Sequence, residues 1–171
     1  MYKQFSFTII FVFLFSMCLT AQNSMLGIKG TVGTSQGSSS YTTGLDFEQK
    51  FSTSWGYSFG AYHKTNMVFN PIKLYFIHIP ATMKYYTKYV NISAGLSGDF
   101  FIGNSTPNGY TNVEADVDPV LQVGIFGSIS KDIHLNKYLV IEPEIYVNPS
   151  INGILNYYGV GLSLKYIFRN E

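Results

Sequence analysis

The sequence predicts an all-β protein, an eight-stranded antiparallel up-and-down transmembrane β-barrel. Apolar side chains recur at every second position in eight successive runs, and this is the period of a β-strand. Charged residues make up only 12% of the chain, about half the usual ~25% of soluble proteins. The positions between the apolar ones hold mostly Gly, Ser and Thr, which fit the narrow inside of a small barrel.

The N-terminal segment predicts a cleaved secretory signal peptide over residues 1–21. A lysine precedes an apolar run from Phe7 to Leu19, and we expect cleavage after Ala21. The run is shorter than the ~20 apolar residues of a membrane-spanning helix, which disfavours a retained anchor. A lipoprotein site at Cys18 is disfavoured because the residues before it are not small. The remainder, 22–171, is expected to be one outer membrane barrel domain with no cysteine and therefore no disulfide.

Eight strands are expected in the mature chain. Longer connections follow the odd strands and shorter turns follow the even ones, as in barrels with long external loops and short periplasmic turns. Pro80 and Pro143 fall within strands, and we expect a bulge or a locally broken pairing at each because proline cannot donate to the ladder. The predicted strands are Met25 to Thr34, Tyr41 to Gln49, Ser54 to Lys64, Tyr75 to Thr87, Val90 to Ile102, Pro119 to Ser130, Tyr138 to Val147 and Tyr158 to Phe168.

The composition of the two strand faces distinguishes a membrane barrel from a secreted soluble one. A lipocalin-like carrier of a small apolar ligand shows the same alternation, but its polar face is solvated and carries many long charged side chains. Here that face is mostly small, which favours a lumen. Aromatic residues group at the strand ends, as in the two interfacial girdles of a membrane barrel. One end holds Trp55, Tyr85, Tyr138, Tyr166 and Phe168, and the other holds Tyr41, Tyr75 and Tyr158.

The few charges on the small face are of both signs. Because an unpaired buried charge is costly, we expect them to pair across the lumen in a structural network. Lys165 is expected to reach Glu142 or Glu144, and a carboxylate is expected to bridge Lys29 and Lys165. The network consists of Lys29, Asp46, Glu48, Lys84, Asp99, Glu142, Glu144 and Lys165.

No catalytic, cofactor-binding or metal-binding site is predicted, so we do not expect an enzyme. None of the three histidines belongs to a metal-spaced pair such as HxxxH. A lipid-modifying barrel enzyme would need a Ser–His–acid arrangement near the outer rim, and no motif around His63 supports one. Glu142 and Glu144 could act as a carboxylate pair only in a substrate cleft, which a filled lumen lacks. A net charge of +1 gives no basis for nucleic-acid binding.

The stretch "FIHIPATMKYYTKYVNISAGLSGDFF" resembles the central hairpin of the small PorT-like outer membrane β-barrel family. Members carry an aliphatic-Pro-aliphatic strand that ends in Lys-Tyr-Tyr, here Ile79-Pro80 and Lys84-Tyr85-Tyr86, followed by a glycine-rich strand. In this chain the second feature, Gly95 to Gly98, has altered glycine spacing. "LTAQ" and "GVGLSLKYIF" are also similar to that family. The resemblance implies an eight-stranded outer membrane barrel and little about activity.

The last strand resembles the signal by which barrel-assembly machinery recognises its clients, carried here by Gly161, Leu164, Tyr166 and Phe168. We therefore expect outer membrane lipid and that machinery as partners. The long loop Gly103 to Asp118, with Tyr110, is the best surface for a protein partner. The expected function is that of a non-enzymatic outer membrane barrel that acts as a structural or assembly component or through its external loops.

Overall fold

The computed structural model describes residues 23–35, 38–68, 72–105, 121–152 and 156–169. The predicted signal peptide and most of the loop Gly103 to Asp118, including Tyr110, lie outside these residues and stay predictions. In the part of the chain that is described, no helix combines the length and the apolar character needed to cross a membrane.

The predicted all-β fold is confirmed, because eight long antiparallel strands close into a ring. Each of these long strands pairs with the long strands before and after it in the chain, and β9 closes the ring by pairing with β1. The short β7 pairs with β8 beside the main ring. The strands are β1 (Asn23–Ser35), β2 (Ser38–Lys50), β3 (Trp55–Val68), β4 (Ile72–Tyr86), β5 (Asn91–Ser105), β6 (Leu121–Ser130), β7 (Ile133–His134), β8 (Leu139–Asn148) and β9 (Tyr157–Arg169).

Closure of the ring staggers the strands. A path that starts at Val140 in β8 and passes from each residue to its partner on the next strand returns, after one circuit of the ring, to Ser150. Ser150 lies just beyond β8, ten residues after the starting point. Such a stagger tilts the strands of a barrel by about 35–45° from its axis and leaves an interior that side chains fill. No long sheet edge is left in the ring, as a membrane-spanning sheet requires.

The strands reach further than the sequence predicts at one end of the barrel. Only residues 36–37 separate β1 from β2, and only 69–71 separate β3 from β4. The expectation of longer connections after every odd strand is therefore wrong for these two. Residues 106–120 and 149–156 connect the other strands at this end, which we call the loop end. The opposite end, called the turn end, has the connections 51–54, 87–90 and 131–138. The first residue of β1 and the last residue of β9 also lie at this end.

Pairing is interrupted next to Pro80, as predicted. The β3–β4 ladder pairs Phe59 with Ala81 and Tyr62 with His78, and it skips the two positions between, where Pro80 lies. On its other side Pro80 stays in continuous register with β5. The missing proline N–H therefore affects one ladder only.

Pro143 explains why the sixth predicted strand is followed by a separate short one. β6 ends at Ser130, opposite Glu144, and β7 begins at Ile133, opposite Ile141. The register is the same on both sides of the gap, so β7 continues the line of β6 past Pro143. The interruption predicted at this proline is confirmed, and the connection expected between the sixth and seventh predicted strands contains a short strand.

The apolar face of every long strand points out of the barrel. Exposed side chains on this face include Ile28, Leu45, Leu96, Ile145 and Leu162, each more than half exposed. The predicted girdle residues are also on the outside, and Trp55 packs on Tyr85 with ring centroids 4.8 Å apart. A surface this rich in exposed aliphatic side chains suits lipid and not water, which is the arrangement of a transmembrane barrel.

Candidate functional site

Three buried apolar side chains form a plug in the lumen at the turn end. Met25, Val140 and Ile167 face inward from three adjacent strands and are 0–6% exposed. Lys50 and Asp132 lie at the same end, with Lys50 Nζ 3.5 Å from Asp132 Oδ2. The plug covers the lumen charges on the side of β8, β9 and β1, and elsewhere at this end Lys84 Nζ lies 4.0 Å from Asp132 Oδ1.

Five of the eight predicted network residues meet directly above the plug, in a group that we call the lower cluster. It consists of Asp46, Glu48, Lys84, Glu142 and Lys165, each at most 4% exposed. Lys165 Nζ lies 2.8 Å from Asp46 Oδ2 and 2.7 Å from Glu48 Oε2, and it also contacts Glu142. Lys84 Nζ lies 2.7 Å from Glu48 and also contacts Glu142. Two ammonium groups, on β4 and β9, thus bridge three carboxylates contributed by β2 and β8.

Hydroxyl groups donate further hydrogen bonds to the carboxylate oxygens of the lower cluster. The Tyr86 hydroxyl donates to Glu48 Oε1 at 2.5 Å, and the Tyr62 hydroxyl donates to Asp46 Oδ1 at 2.8 Å. Ser130 donates to Glu142 Oε1 at 2.5 Å. A buried charge is tolerated only when it is paired and its hydrogen bonds are satisfied. In the lower cluster every carboxylate oxygen has at least one ammonium or hydroxyl partner.

The middle of the lumen holds one ion pair between aromatic rings. Lys29 Nζ lies 2.5 Å from Glu144 Oε1. The same ammonium group is 5.9 Å from the ring centroid of Tyr62 and 5.8 Å from that of Phe126. Phe126 stacks on Tyr146 at 5.8 Å. Aromatic side chains therefore surround the ion pair. Lys29 and Lys165 bind different carboxylates, so the carboxylate that was predicted to bridge them is not observed.

Nearer the loop end, Asp99 holds two basic side chains. Lys64 Nζ lies 2.7 Å from Asp99 Oδ2, and His78 Nδ1 lies 2.6 Å from Asp99 Oδ1. Lys64 also lies 3.9 Å above the ring of Tyr157. We call Lys64, His78 and Asp99 the upper cluster.

Lys64, its histidine partner and the inward aromatic residues were not identified as network members from sequence. Lys64 lies at the end of the third predicted strand, at the inward position after Tyr62, so the period of two could have identified it. Phe126 and Tyr146 occupy inward positions of β6 and β8 by the same period. Their hydrophobicity conflicts with a lumen expected to be small and polar, and the sequence pattern alone gave no reason to place rings there.

Glycines make room for the large inward side chains. A Cβ on Gly60 would overlap the ring of Tyr62, which folds back along its own strand. A Cβ on Gly27 would lie 2.7 Å from Cγ of Lys165. The small residues expected from sequence to line a narrow lumen therefore lie against the bulky and charged side chains that fill it.

Little space is left inside the barrel. Three gaps lined by the described lumen residues have volumes of about 20, 20 and 10 Å³. Each holds about one water molecule at most. None of these gaps in the described lumen is the size of an apolar-ligand cavity, and the inner face is charged where a lipocalin-like carrier is apolar, so both features disfavour that soluble alternative.

The other candidate residues lie away from the lumen clusters. His63 is exposed on the outer face, with its ring 5.7 Å from that of Tyr75. In the proposed assembly signal, Leu164, Tyr166 and Phe168 are 42–47% exposed on the outer face, whereas Gly161 faces inward beside Glu144. Among the described residues, no group of three or more His, Cys, Asp or Glu side chains is placed to hold a metal ion.

Solved structures show the same fold. The chain superposes on the outer membrane protein OprG of Pseudomonas aeruginosa with a TM-score of 0.57 and 13% identity, covering 88% of this chain and 98% of OprG. For the N-terminal β-barrel domain of OprF from the same organism the TM-score is 0.58 at 9% identity, covering 86% and 98%. For Ail of Yersinia pestis in a phospholipid bilayer nanodisc it is 0.51 at 10% identity, covering 86% and 99%.

At these identities the likeness concerns the fold, that of eight-stranded outer membrane barrels. No model of a known protein family matches the chain. No curated protein matches it in sequence.

Proposed function

We propose that this protein is an outer membrane β-barrel that acts as a structural or assembly component or through its external loops, without catalysis in its lumen. The observation that carries the proposal is the filled lumen inside an apolar outer surface. A plug, two charge clusters and a layer of rings occupy the inside, so surfaces for partners are left at the ends and on the lipid-facing wall. We further propose that the chain is a PorT-like barrel with a cleaved signal peptide, on the sequence features described above.

The filled lumen predicts that the purified barrel does not conduct ions. Met25, Val140 and Ile167 are buried at the turn end, and the lower cluster fills the level above. Insertion into planar lipid bilayers should give no discrete current steps above those of the protein-free bilayer. Steps that appear with folded protein and disappear after heat unfolding would contradict this closed-lumen proposal and indicate a pore.

The terminal strand supports a second expectation, for assembly in the cell. Replacing Tyr166 and Phe168 with alanine removes two outer-face rings that pack together at 5.1 Å. We expect the double variant to accumulate several-fold less as a heat-modifiable form in carbonate-washed outer membranes, because the proposed assembly signal is lost.

The control for this experiment is Tyr158→Ala, which removes an exposed aromatic residue from the other end of the same strand. It should assemble like the wild type. Refolding of the double variant into lipid vesicles separates a recognition defect from a folding defect. If the double variant assembles normally in cells, the strand is not the signal; if the wild type is found in the soluble fraction, the membrane assignment itself is wrong.

A further inference from the structure

Three exposed lysines lie at the turn end, and one of them borders the apolar outer wall. Lys131 follows Ile129 and precedes Ile133 at the strand period, and both isoleucines are about half exposed on the outer face. Its backbone N–H donates to the Pro143 carbonyl at 3.2 Å, which holds this position against β8. A lysine at this position keeps its alkyl stem along the apolar surface and extends its ammonium group toward the headgroup region.

The other two lysines lie beside exposed tyrosines of the turn end, Tyr89 in the connection 87–90 and the girdle residue Tyr138. Lys88 Nζ is 5.7 Å from the ring centroid of Tyr89, and Lys137 Nζ is 4.8 Å from that of Tyr138. Tyrosines of this kind mark the interface between the apolar core and the headgroups of a membrane. Both lysines are therefore at the depth at which lipid phosphates lie.

The three lysines belong to neighbouring connections. Asn91, just after the connection 87–90, donates through Nδ2 to Asp132 Oδ1 at 2.9 Å, and this bond ties that turn to the segment 131–138. By contrast, the connection 51–54 has the sequence Phe-Ser-Thr-Ser and carries no charge. The three exposed lysines thus lie on one arc of the rim.

No carboxylate of the described turn end is available to these three lysines. Glu48 and Glu142 are buried in the lower cluster. Asp132 accepts from Asn91 and pairs with Lys50, whose ammonium group also lies 3.9 Å from the ring of Tyr86. Ammonium groups held at headgroup depth without a protein counter-ion match the negative charge of a phospholipid phosphate.

We propose that Lys88, Lys131 and Lys137 form a binding site for the headgroups of anionic phospholipids in the leaflet that contacts the turn end. The lysines supply the charge, and the neighbouring tyrosines and isoleucines contact the acyl-chain boundary. This site lies outside the lumen and does not depend on the barrel's role in the cell.

Native mass spectrometry of the full mature barrel, refolded in zwitterionic detergent, tests the site. Phosphatidylglycerol and phosphatidylcholine with identical acyl chains are added at equal concentration, and the bound lipids are counted. Because each lysine at an anionic surface contributes about fivefold in affinity, the three together should give the wild type a preference for phosphatidylglycerol on the order of a hundredfold. The triple variant Lys88→Gln, Lys131→Gln, Lys137→Gln should show no preference.

Lys73→Gln is the matched control, because Lys73 is an exposed lysine at the loop end. It should keep the wild-type preference. Lys131→Gln alone should lower the preference about fivefold and provides the test if the triple variant does not fold. Retention of the preference by the lysine variants, or an equal loss in Lys73→Gln, would overturn the proposal. Competition by millimolar inorganic phosphate would show a free-anion site in place of a lipid site.

Discussion

Replacing Lys165 with methionine is expected to destabilise the folded barrel by about 3–5 kcal/mol. The ammonium group of Lys165 contacts Asp46, Glu48 and Glu142, and the side chain is 3% exposed. Methionine keeps most of the volume but leaves three buried carboxylates with Lys84 as the remaining cation of the lower cluster. Guanidinium titration in phospholipid vesicles, followed by the fluorescence of Trp55, the sole tryptophan of the chain, measures the loss.

Two further variants separate the charge effect from a general effect of removing a lysine. Lys73→Met, at an exposed position of the loop end, should change the free energy of unfolding by no more than about 0.5 kcal/mol. Adding Asp46→Asn to Lys165→Met removes the carboxylate whose ion pair in the described structure is with Lys165, and should restore part of the stability. If Lys165→Met costs no more than the control, the lower cluster does not stabilise the barrel in the way its geometry indicates.

The contact of Lys165 with Glu142 on the adjacent strand was predicted and is observed, but the other partners within the lumen could not be predicted from the sequence. Period-two alternation places Lys165 and Glu142 on the inner face directly. Which carboxylate each lysine reaches depends on the stagger of ten residues around the ring, because the stagger sets which residues share a level. Glu48 and Lys165 are 117 positions apart in the chain and meet only after closure. No local pattern encodes that displacement.

The residues at which the strands end on the loop side could also not be predicted from the sequence pattern. Ser38 to Ser40 and Thr65 to Val68 are polar or mixed, so the alternation weakens there, yet they pair in register with β1 and β4. Ladder hydrogen bonds with an adjacent strand extend a strand whatever its side chains. By contrast, the interruptions beside Pro80 and Pro143 were predictable, because a missing N–H donor is a property of the residue itself.

The lumen charges also discriminate between pairings of the strands. A slip of one residue exchanges the two faces of a strand, so it would move Lys84 or Lys165 from the lumen to the lipid face. Both lysines are next to girdle tyrosines in the sequence, so the exposed lysine itself would cost only about 0–1 kcal/mol, but its buried carboxylate partners would lose their counter-ion at a cost of about 3–5 kcal/mol. If the lumen were lined only by Ser and Gly, a slip of one residue would carry no such penalty. We expect the clusters to contribute as much to the uniqueness of the register as to its stability.

Replacing Leu162 with arginine is expected to destabilise the barrel by about 2–4 kcal/mol. Leu162 is 56% exposed on the outer face and lies midway along β9, four residues from each of the girdle residues Tyr158 and Tyr166. An arginine there cannot reach either headgroup region without displacing lipid, so its charge stays in the hydrocarbon. Guanidinium titration of the refolded variant in vesicles, followed by Trp55 fluorescence, reads out the difference.

The depth of the position, and not the loss of a leucine, should determine this cost. Tyr158→Arg places the same charge on the same face of the same strand at the girdle, where the penalty falls to about 0–1 kcal/mol. Leu162→Ala removes the side chain without adding a charge and should cost less than Leu162→Arg. Equal stabilities for Leu162→Arg and Tyr158→Arg would mean that the outer face meets no depth-dependent environment, which contradicts a bilayer around the strands. A soluble sheet face would show that equality, because water solvates arginine equally well at both positions.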